Sequence, residues 1–315
     1  MIAPQVIVVS LRGSGAPLLA EVTGALGYTP YGTMSGPDDD SPGPGPGEVY
    51  PLLAAAHGPD TAAALLRDGR HGRQALQTAF EDAVGALWRV WWIRLGQPVT
   101  RASPVDPALE EALARVPDGE LVRLLPGRGC WYVNSLDLRR ADGGLLRAWQ
   151  ATGHPPIVFH HRDVRDRIIS QIQLLSHPSG RVGSQPEYLV YRDIVSALPS
   201  MDARITLALT DPGFPGLAEA RGCRWLLHHP AVTVVSHEDL AGPAHGGSAD
   251  ARERALARLF EATGHPGSTA VPRPRAAGSA CQDPDHLRVG LWREHFSPEH
   301  ERLLDRHWGD LPARV

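Results

Sequence analysis

An α/β fold, with a mostly parallel sheet flanked by helices, is the fold class that the sequence predicts. Short apolar runs rich in Val and Ile alternate along the chain with longer segments of helical spacing, and there is no internal repeat. The 315 residues suffice for one large core, so we expect a single domain over residues 1–315. Two stretches rich in Gly and Pro, near 33–51 and 264–286, predict mobile surface loops.

The first predicted unit is a strand, a glycine loop and a helix. Residues 5–10 form a β-rich apolar run, and Gly13 and Gly15 permit a tight turn after it. The helix is indicated by apolar residues at helical spacing, which are Leu18, Leu19, Val22 and Leu26. A loop of this kind presents backbone N–H groups and a helix dipole to an anion. The loop from Arg12 to Ala16 is therefore a candidate anion site.

The middle of the chain supplies further strands and helices. Residues 73–94 read as a long helix, whose tryptophan-rich stripe is wide enough to be core. The alternative is that part of this stripe walls a ligand pocket. Further helices are predicted over 109–116, 145–150, 188–198 and 249–263, and strands over 121–125, 131–134, 205–209 and 232–235.

The second candidate site follows a buried strand over residues 155–160. Arg162 lies at the carboxyl end of this strand, and Ser170 lies about two turns into the helix that follows. Ligands of open α/β sheets bind at such strand ends. The forked, permanently charged side chain of Arg162 suits a phosphate, and Ser170 adds a hydroxyl donor.

The third candidate segment lies near the end of the chain. Arg288, Gly290 and Trp292 form a short basic and aromatic turn. Ser297 followed by Pro298 is typical of a helix N-cap with proline at the first helical position. The helix that begins there would turn Leu303, Leu304 and Trp308 to the core.

Taken in this order, the three segments resemble those of PAPS-dependent sulfotransferases, and the chain is identified as a divergent bacterial member of that family. The family's 3′-phosphate motif is commonly R-[ND]-P-[RK]-D-x-x-x-S. Residues 162–170 follow it, with Val164 where the family usually has proline. The matching positions are Arg162, Asp163, Arg165, Asp166 and Ser170.

The other two segments match the family in part. Ser14 and Gly15 correspond to the S-G of the 5′-phosphosulfate loop, Y-P-K-S-G-T-T-W, whereas the family's lysine falls on Gly13. Arg12 offers a cation one place earlier, and the alanine and proline at the next two positions provide no hydroxyl. Residues 288–292 are similar to the C-terminal R-K-G-x-x-G-D-W-K region. Residues 234–240 resemble a strand ending in E-D-L, where we expect a structural turn rather than a catalytic role.

This resemblance implies a P-loop-like sulfotransferase fold and a reaction. A sulfuryl group would pass from PAPS to a hydroxyl or amine of a small-molecule acceptor, leaving adenosine 3′,5′-bisphosphate, and no metal is required. Arg12 and the N–H groups of Gly13 to Ala16 would hold the 5′-phosphate. Arg162, Ser170, Arg288 and Gly290 would surround the 3′-phosphate.

The sequence does not decide which residue is the general base. Family members place a histidine ahead of the 3′-phosphate strand, and the corresponding residue here is Ser135, a poor base without a partner. Asp137 lies two residues further on, and Glu48 and His57 are alternatives from the early part of the chain.

Composition narrows the class of protein. The formal net charge is −4, which argues against a general nucleic-acid binder, and all 31 basic residues are arginine. Three scattered cysteines and the absence of an apolar leader or membrane-spanning run favour a cytoplasmic protein. A bacterial secondary metabolite, free or bound to a carrier, is the expected acceptor.

Two other classes of protein remain open. A P-loop kinase is disfavoured because its phosphate loop requires a lysine. A catalytically degenerate nucleotide-binding protein on the same fold remains the alternative.

Overall fold

Parallel strands form the central sheet of the computed structural model, which describes residues 2–33, 46–67, 73–97, 105–124, 127–177, 186–267 and 287–311. The strands of these residues are β1 (Gln5–Ser10), β2 (Thr29–Gly32), β3 (Gly129–Val133), β4 (Ile157–His161) and β5 (Val232–Ser236). They lie in the order β2-β3-β1-β4-β5, and each neighbouring pair is parallel.

The strand order gives the sheet a topological switch point between β1 and β4. β1 and β4 are neighbours, with Ser10 paired to His160. The chain leaves β1 toward β2 on one side and leaves β4 toward β5 on the other. Because consecutive connections diverge there, the carboxyl ends of β1 and β4 are the place where an open α/β sheet binds ligands.

Helices cover both faces of this sheet. In chain order they are α1 (Ala16–Ala25), α2 (Pro46–His57), α3 (Pro59–Arg67), α4 (Arg73–Arg94), α5 (Pro107–Ala114), α6 (Asp118–Leu121), α7 (Gly143–Thr152), α8 (Val164–Ser176), α9 (Pro186–Ala197), α10 (Met201–Thr210), α11 (Leu217–Cys223), α12 (His237–Ala241), α13 (Ala249–Ala262) and α14 (Pro298–Trp308). No helix in the described ranges is both long enough and apolar enough to cross a bilayer.

Alternating side chains of the strands feed two cores. In β1, Ile7 and Val9 face the larger core, to which α4, α8, α10 and α14 contribute. Val6 and Val8 face the smaller core, formed with α1, α12 and α13. A sheet buried on both faces explains why its strands read as continuous apolar runs. The predicted fold class, a mostly parallel sheet flanked by helices, is confirmed.

Two predicted strands are wrong. Residues 205–209 belong to α10, whose N-cap Ser200 accepts a hydrogen bond from the backbone N–H of Ala203 at 3.2 Å. Residues 121–125 begin inside α6, which starts after Pro117 with acidic residues in its first turn. Both runs are short and apolar, and such a run does not distinguish a buried strand from a buried helix.

The end of the first predicted loop, residues 46–51, is also wrong. Residues 46–51 lie in α2, although Pro51 is inside that helix. Residues 34–45 of the first predicted loop, and residues 268–286 of the second, lie outside the described residues.

The capping box of α14 allows the predicted N-cap at Ser297 to be tested. Ser297 accepts from the N–H of His300 at 3.3 Å, and the Nδ1 atom of His300 accepts from the N–H of Ser297 at 3.1 Å. Ser297→Ala removes this acceptor, and we expect the free energy of unfolding in urea to fall by about 1 kcal/mol. Ser297→Thr keeps a hydroxyl and serves as the control. Equal unfolding midpoints for the alanine variant and the unchanged chain would contradict the role of the cap.

Candidate functional site

Arg162 joins three distant segments of the chain at the carboxyl edge of the sheet. Its side chain is fully buried directly after β4. Its Nη1 atom donates to the carbonyl oxygen of Gly13 at 3.2 Å and to the Ser170 hydroxyl at 2.9 Å. Its Nη2 atom donates to the carbonyl oxygen of Arg288 at 2.8 Å. The segments predicted to form the site therefore lie together.

The turn between β4 and α8 is fixed by carboxylates. Asp163 is the N-cap of α8, and its side chain accepts from the N–H of Arg165 at 2.9 Å. The N–H of Asp163 itself donates to Glu238 at 2.9 Å. Glu238 belongs to the segment that resembles E-D-L, so this carboxylate supports the turn that presents Arg162.

Asp166 anchors the C-terminal segment on α8. Its two carboxylate oxygens accept from the backbone N–H groups of Gly290 at 2.7 Å and Trp292 at 2.8 Å. Burial raises the pKa of Asp166, against the opposing effect of the Arg162 guanidinium 4.0 Å away and of these two hydrogen bonds. The guanidinium of Arg165 lies 3.5 Å from the centre of the Trp292 ring, which adds a cation–π contact.

The glycine loop is a tight turn with left-handed residues. Gly13 and Gly15 both have φ of 81°, and the N–H of Ser14 donates to the carbonyl oxygen of Leu11 at 3.0 Å. The Ser14 side chain is fully buried, and its hydroxyl has no hydrogen-bond partner among the described residues. Because the Ser14 N–H is already bonded, the loop offers fewer N–H groups to an anion than the sequence alone indicates.

The loop ends at the N-terminus of α1. This helix begins at Ala16, and Pro17 occupies its first turn without an N–H of its own. First-turn N–H groups of a helix lack intrahelical partners and attract anions. Arg12, the first residue of the loop, stacks its guanidinium 4.1 Å from the centre of the Tyr188 ring. Burial raises the pKa of Tyr188 to about 12, so the phenol stays neutral beside this cation.

Three buried histidines surround the strand ends. The Nδ1 atom of His160 lies 3.0 Å from the Ser10 hydroxyl, and the Nε2 atom of His237 lies 2.9 Å from the carbonyl oxygen of Leu287. Burial lowers the pKa of His237 to about 3 and that of His161 to about 4, and it lowers the pKa of His160 well below its usual value. All three rings are therefore neutral near pH 7.

The candidate bases have local partners. The carboxylate of Asp137 accepts from the backbone N–H of Arg139 at 2.9 Å and pairs with the Arg139 guanidinium at 3.4 Å. His57 lies 3.1 Å from the carbonyl oxygen of Ala79. The side chain of Glu48 lies outside the described residues, although its backbone is part of α2. The role of general base stays a prediction for Asp137 and Glu48.

Sequence reasoning missed a polar stripe of α8 next to the loop. The Nη1 atom of Arg167 donates to the carbonyl oxygen of Gly216 at 2.9 Å, and its Cγ atom would lie 3.1 Å from a Cβ at Gly13. Gln171, one turn later, is buried beside Tyr188. The i, i+4 spacing of these two polar residues was the available signal.

Comparison with known proteins gives structural similarity without a match in sequence. No family model matches the chain, and no curated protein matches it. Mouse sulfotransferase SULT7A1, solved as a complex with PAP, is similar with a TM-score of 0.44 and 13% sequence identity. The alignment covers 98% of this chain and 85% of that one.

The neutral histidines predict a dependence of stability on pH. A histidine with an ordinary pKa when unfolded and a lowered pKa when folded binds its proton preferentially in the unfolded chain. The neutral rings of His161 and His237 therefore contribute fully to the stability of the fold above about pH 6.5. This contribution is lost as the pH falls toward their pKa values in the folded chain, which are about 4 and about 3. We expect His161 and His237 each to lower the free energy of unfolding by roughly 2 kcal/mol at pH 5 relative to pH 7.

This expectation can be checked by urea unfolding at pH 7 and pH 5. His161→Phe should lose less unfolding free energy between pH 7 and pH 5 than the unchanged chain, by the roughly 2 kcal/mol expected for one histidine. His307→Gln, which changes an exposed ring, should leave the loss unchanged. A stability that is flat between the two pH values would contradict the buried, neutral state of the rings.

Proposed function

We propose that this chain is a PAPS-dependent sulfotransferase, which transfers a sulfuryl group from PAPS to a hydroxyl or amine of a small-molecule acceptor. The observation that carries the proposal is the convergence on Arg162 of the glycine loop, Ser170 and the Arg288 segment. These three segments are the ones whose sequences resemble the family's two phosphate sites and its C-terminal region.

The 3′-phosphate would bind where the donors of Arg162 meet Ser170. In the structure these donors are satisfied by the carbonyl oxygens of Gly13 and Arg288 and by the Ser170 hydroxyl. A phosphate oxygen accepts more strongly from a guanidinium than a neutral carbonyl does. Binding would therefore exchange protein carbonyl oxygens for phosphate oxygens, and the side chain of Arg288 would contribute a further positive charge.

The 5′-phosphate would bind at the N-terminus of α1. The N–H groups of Gly13, Gly15 and Ala16 are suited to it, and Arg12 supplies the cation that the family takes from lysine. Arg12 is the residue placed to neutralise charge on the departing phosphate.

The reaction requires alignment and charge neutralisation rather than covalent catalysis by the protein. An acceptor oxygen or nitrogen loses its proton to a base and forms a bond to sulfur, while the bond from sulfur to the bridging phosphate oxygen breaks. The electron pair leaves with adenosine 3′,5′-bisphosphate. Asp137 and Glu48 remain the proposed bases, and a bacterial secondary metabolite, free or carrier-bound, in the cytoplasm is the proposed acceptor.

The alternative function is nucleotide binding without turnover. The inward-facing Ser14 hydroxyl favours it, since the loop then presents no side-chain hydroxyl to a sulfuryl group. The replacement of both family threonines, by Ala16 and Pro17, favours it as well.

Calorimetric titration with adenosine 3′,5′-bisphosphate, AMP and ADP tests the binding site. We expect the bisphosphate to bind at least tenfold more tightly than AMP, because Arg162 recognises the 3′-phosphate. Arg162→Lys keeps the charge but loses the fork, and it should remove most of this preference while AMP binding persists. Arg115→Lys, at an exposed ion pair, is the matched control. Equal binding of the three nucleotides by the unchanged chain would refute the proposed site.

Turnover separates the enzyme from the alternative. Conversion of PAPS to adenosine 3′,5′-bisphosphate in the presence of phenolic, alcoholic and amine acceptors should fall about 10²-fold in Arg12→Ala, and less in Arg12→Lys. Tight bisphosphate binding with no conversion by the unchanged chain would instead support the non-catalytic function.

A further inference from the structure

His237 separates the glycine loop from the C-terminal segment and has no role in the proposed chemistry. It is the first residue of α12, directly after β5, and its side chain is fully buried. The preceding Ser236 caps this short helix by accepting from the N–H of Asp239 at 3.1 Å. The cap fixes the backbone from which the imidazole reaches the loop.

One edge of the His237 ring packs against the α-carbon of Gly15. A Cβ atom at position 15 would lie 2.3 Å from Nδ1 and 2.6 Å from Cε1 of the ring, where no side chain fits. The φ of 81° at Gly15 independently disfavours other residues. Gly15 is therefore required by its backbone conformation and by its contact with His237.

The other nitrogen of the ring, Nε2, holds the C-terminal segment. Nε2 lies 2.9 Å from the carbonyl oxygen of Leu287, and a carbonyl can only accept, so Nε2 carries the proton. The next two residues are also anchored: the carbonyl of Arg288 accepts from Arg162, and the N–H of Val289 donates to the carbonyl of His245 at 2.9 Å.

The protonation state of the ring suits this position. Burial and the nearby Arg162 guanidinium hold the pKa of His237 at about 3, which leaves Nδ1 as an unprotonated acceptor. Nδ1 has no hydrogen-bond partner among the described residues and faces the weak C–H donor of Gly15. Because the His237 ring stays neutral above pH 4, it can hold two segments of the chain at a fixed distance but does not carry a proton.

We propose that His237 is a positioning residue, which sets the distance between the glycine loop and the Leu287–Val289 segment and so couples the 5′- and 3′-phosphate sites of one nucleotide. This inference rests on the proposed function. A bisphosphate that spans both sites gains from their fixed separation, because the separation is then established before binding.

The contact with Gly15 is tested by a double-mutant cycle. We expect Gly15→Ala to weaken binding of adenosine 3′,5′-bisphosphate at least 100-fold, because the new methyl group meets the ring. In the His237→Ala background the same change should cost at least tenfold less, since the imidazole is gone. Gly13→Ala is the matched control: its Cβ would meet Arg167 and Ser170 instead, so His237→Ala should not rescue it.

A second pair of variants leaves the loop unchanged. His237→Gln retains an N–H donor for the Leu287 carbonyl and should bind the bisphosphate within about threefold of the unchanged chain. His237→Leu fills similar space without a donor and should bind at least tenfold more weakly, with a smaller preference over AMP. Leucine and glutamine variants that both bind like the unchanged chain would overturn the proposal, as would additive effects in the double-mutant cycle.

Failure of this inference differs from failure of the proposed function. If the unchanged chain does not bind the bisphosphate, the proposed function fails, and with it the coupling of phosphate sites. The same cycle measured by thermal unfolding then still decides whether His237 and Gly15 are in contact. If the unchanged chain binds and the cycle is additive, the nucleotide site stands and the role of His237 is refuted.

Discussion

The buried guanidinium of Arg162 is the interaction on which this site depends. A buried charge is tolerated only where hydrogen bonds and opposite charge replace its hydration, because desolvation costs several kcal/mol. Its partners come from Gly13, 149 residues earlier, from Ser170 on α8, and from Arg288, 126 residues later. Asp166 lies 4.0 Å away and in turn holds the C-terminal segment. The hydrogen bonds that the buried Arg162 guanidinium requires therefore bring the three segments of the site together.

The positive charge of the site comes from arginine alone. Burial and the Arg162 guanidinium keep His160 and His237 neutral, so the histidines add hydrogen-bond groups without adding charge. An arginine keeps its charge across the working pH range, whereas a histidine would not. The capacity of the site for an anion is consequently independent of pH near neutrality, whereas the stability of the fold around it falls below about pH 6.5.

Local sequence patterns predicted correctly the elements whose patterns are long or strongly biased in composition. The bounds of β1 and α4 agree with the predicted 5–10 and 73–94, because a β-rich run and a 22-residue periodic segment leave little ambiguity. The predicted strand at 205–209 is wrong because a run of five mostly apolar residues fits a strand and a buried helix equally well, and the N-cap at Ser200 is what distinguishes them. Asp137 is a candidate base because it lies two residues after Ser135, which stands where the family has a histidine. That position does not reveal that the Asp137 carboxylate pairs with Arg139.

The sequence by itself determined the alternation of strands and helices, the order of the three candidate segments and the residue types within them. Those properties depend on near neighbours along the chain, which periodicity and turn chemistry describe. Only the tertiary structure decided that Arg162 is closed within protein carbonyls, that the Ser14 hydroxyl faces inward and that His237 packs on Gly15. Each of these depends on the strand order β2-β3-β1-β4-β5, which sets distances between residues that are remote in sequence.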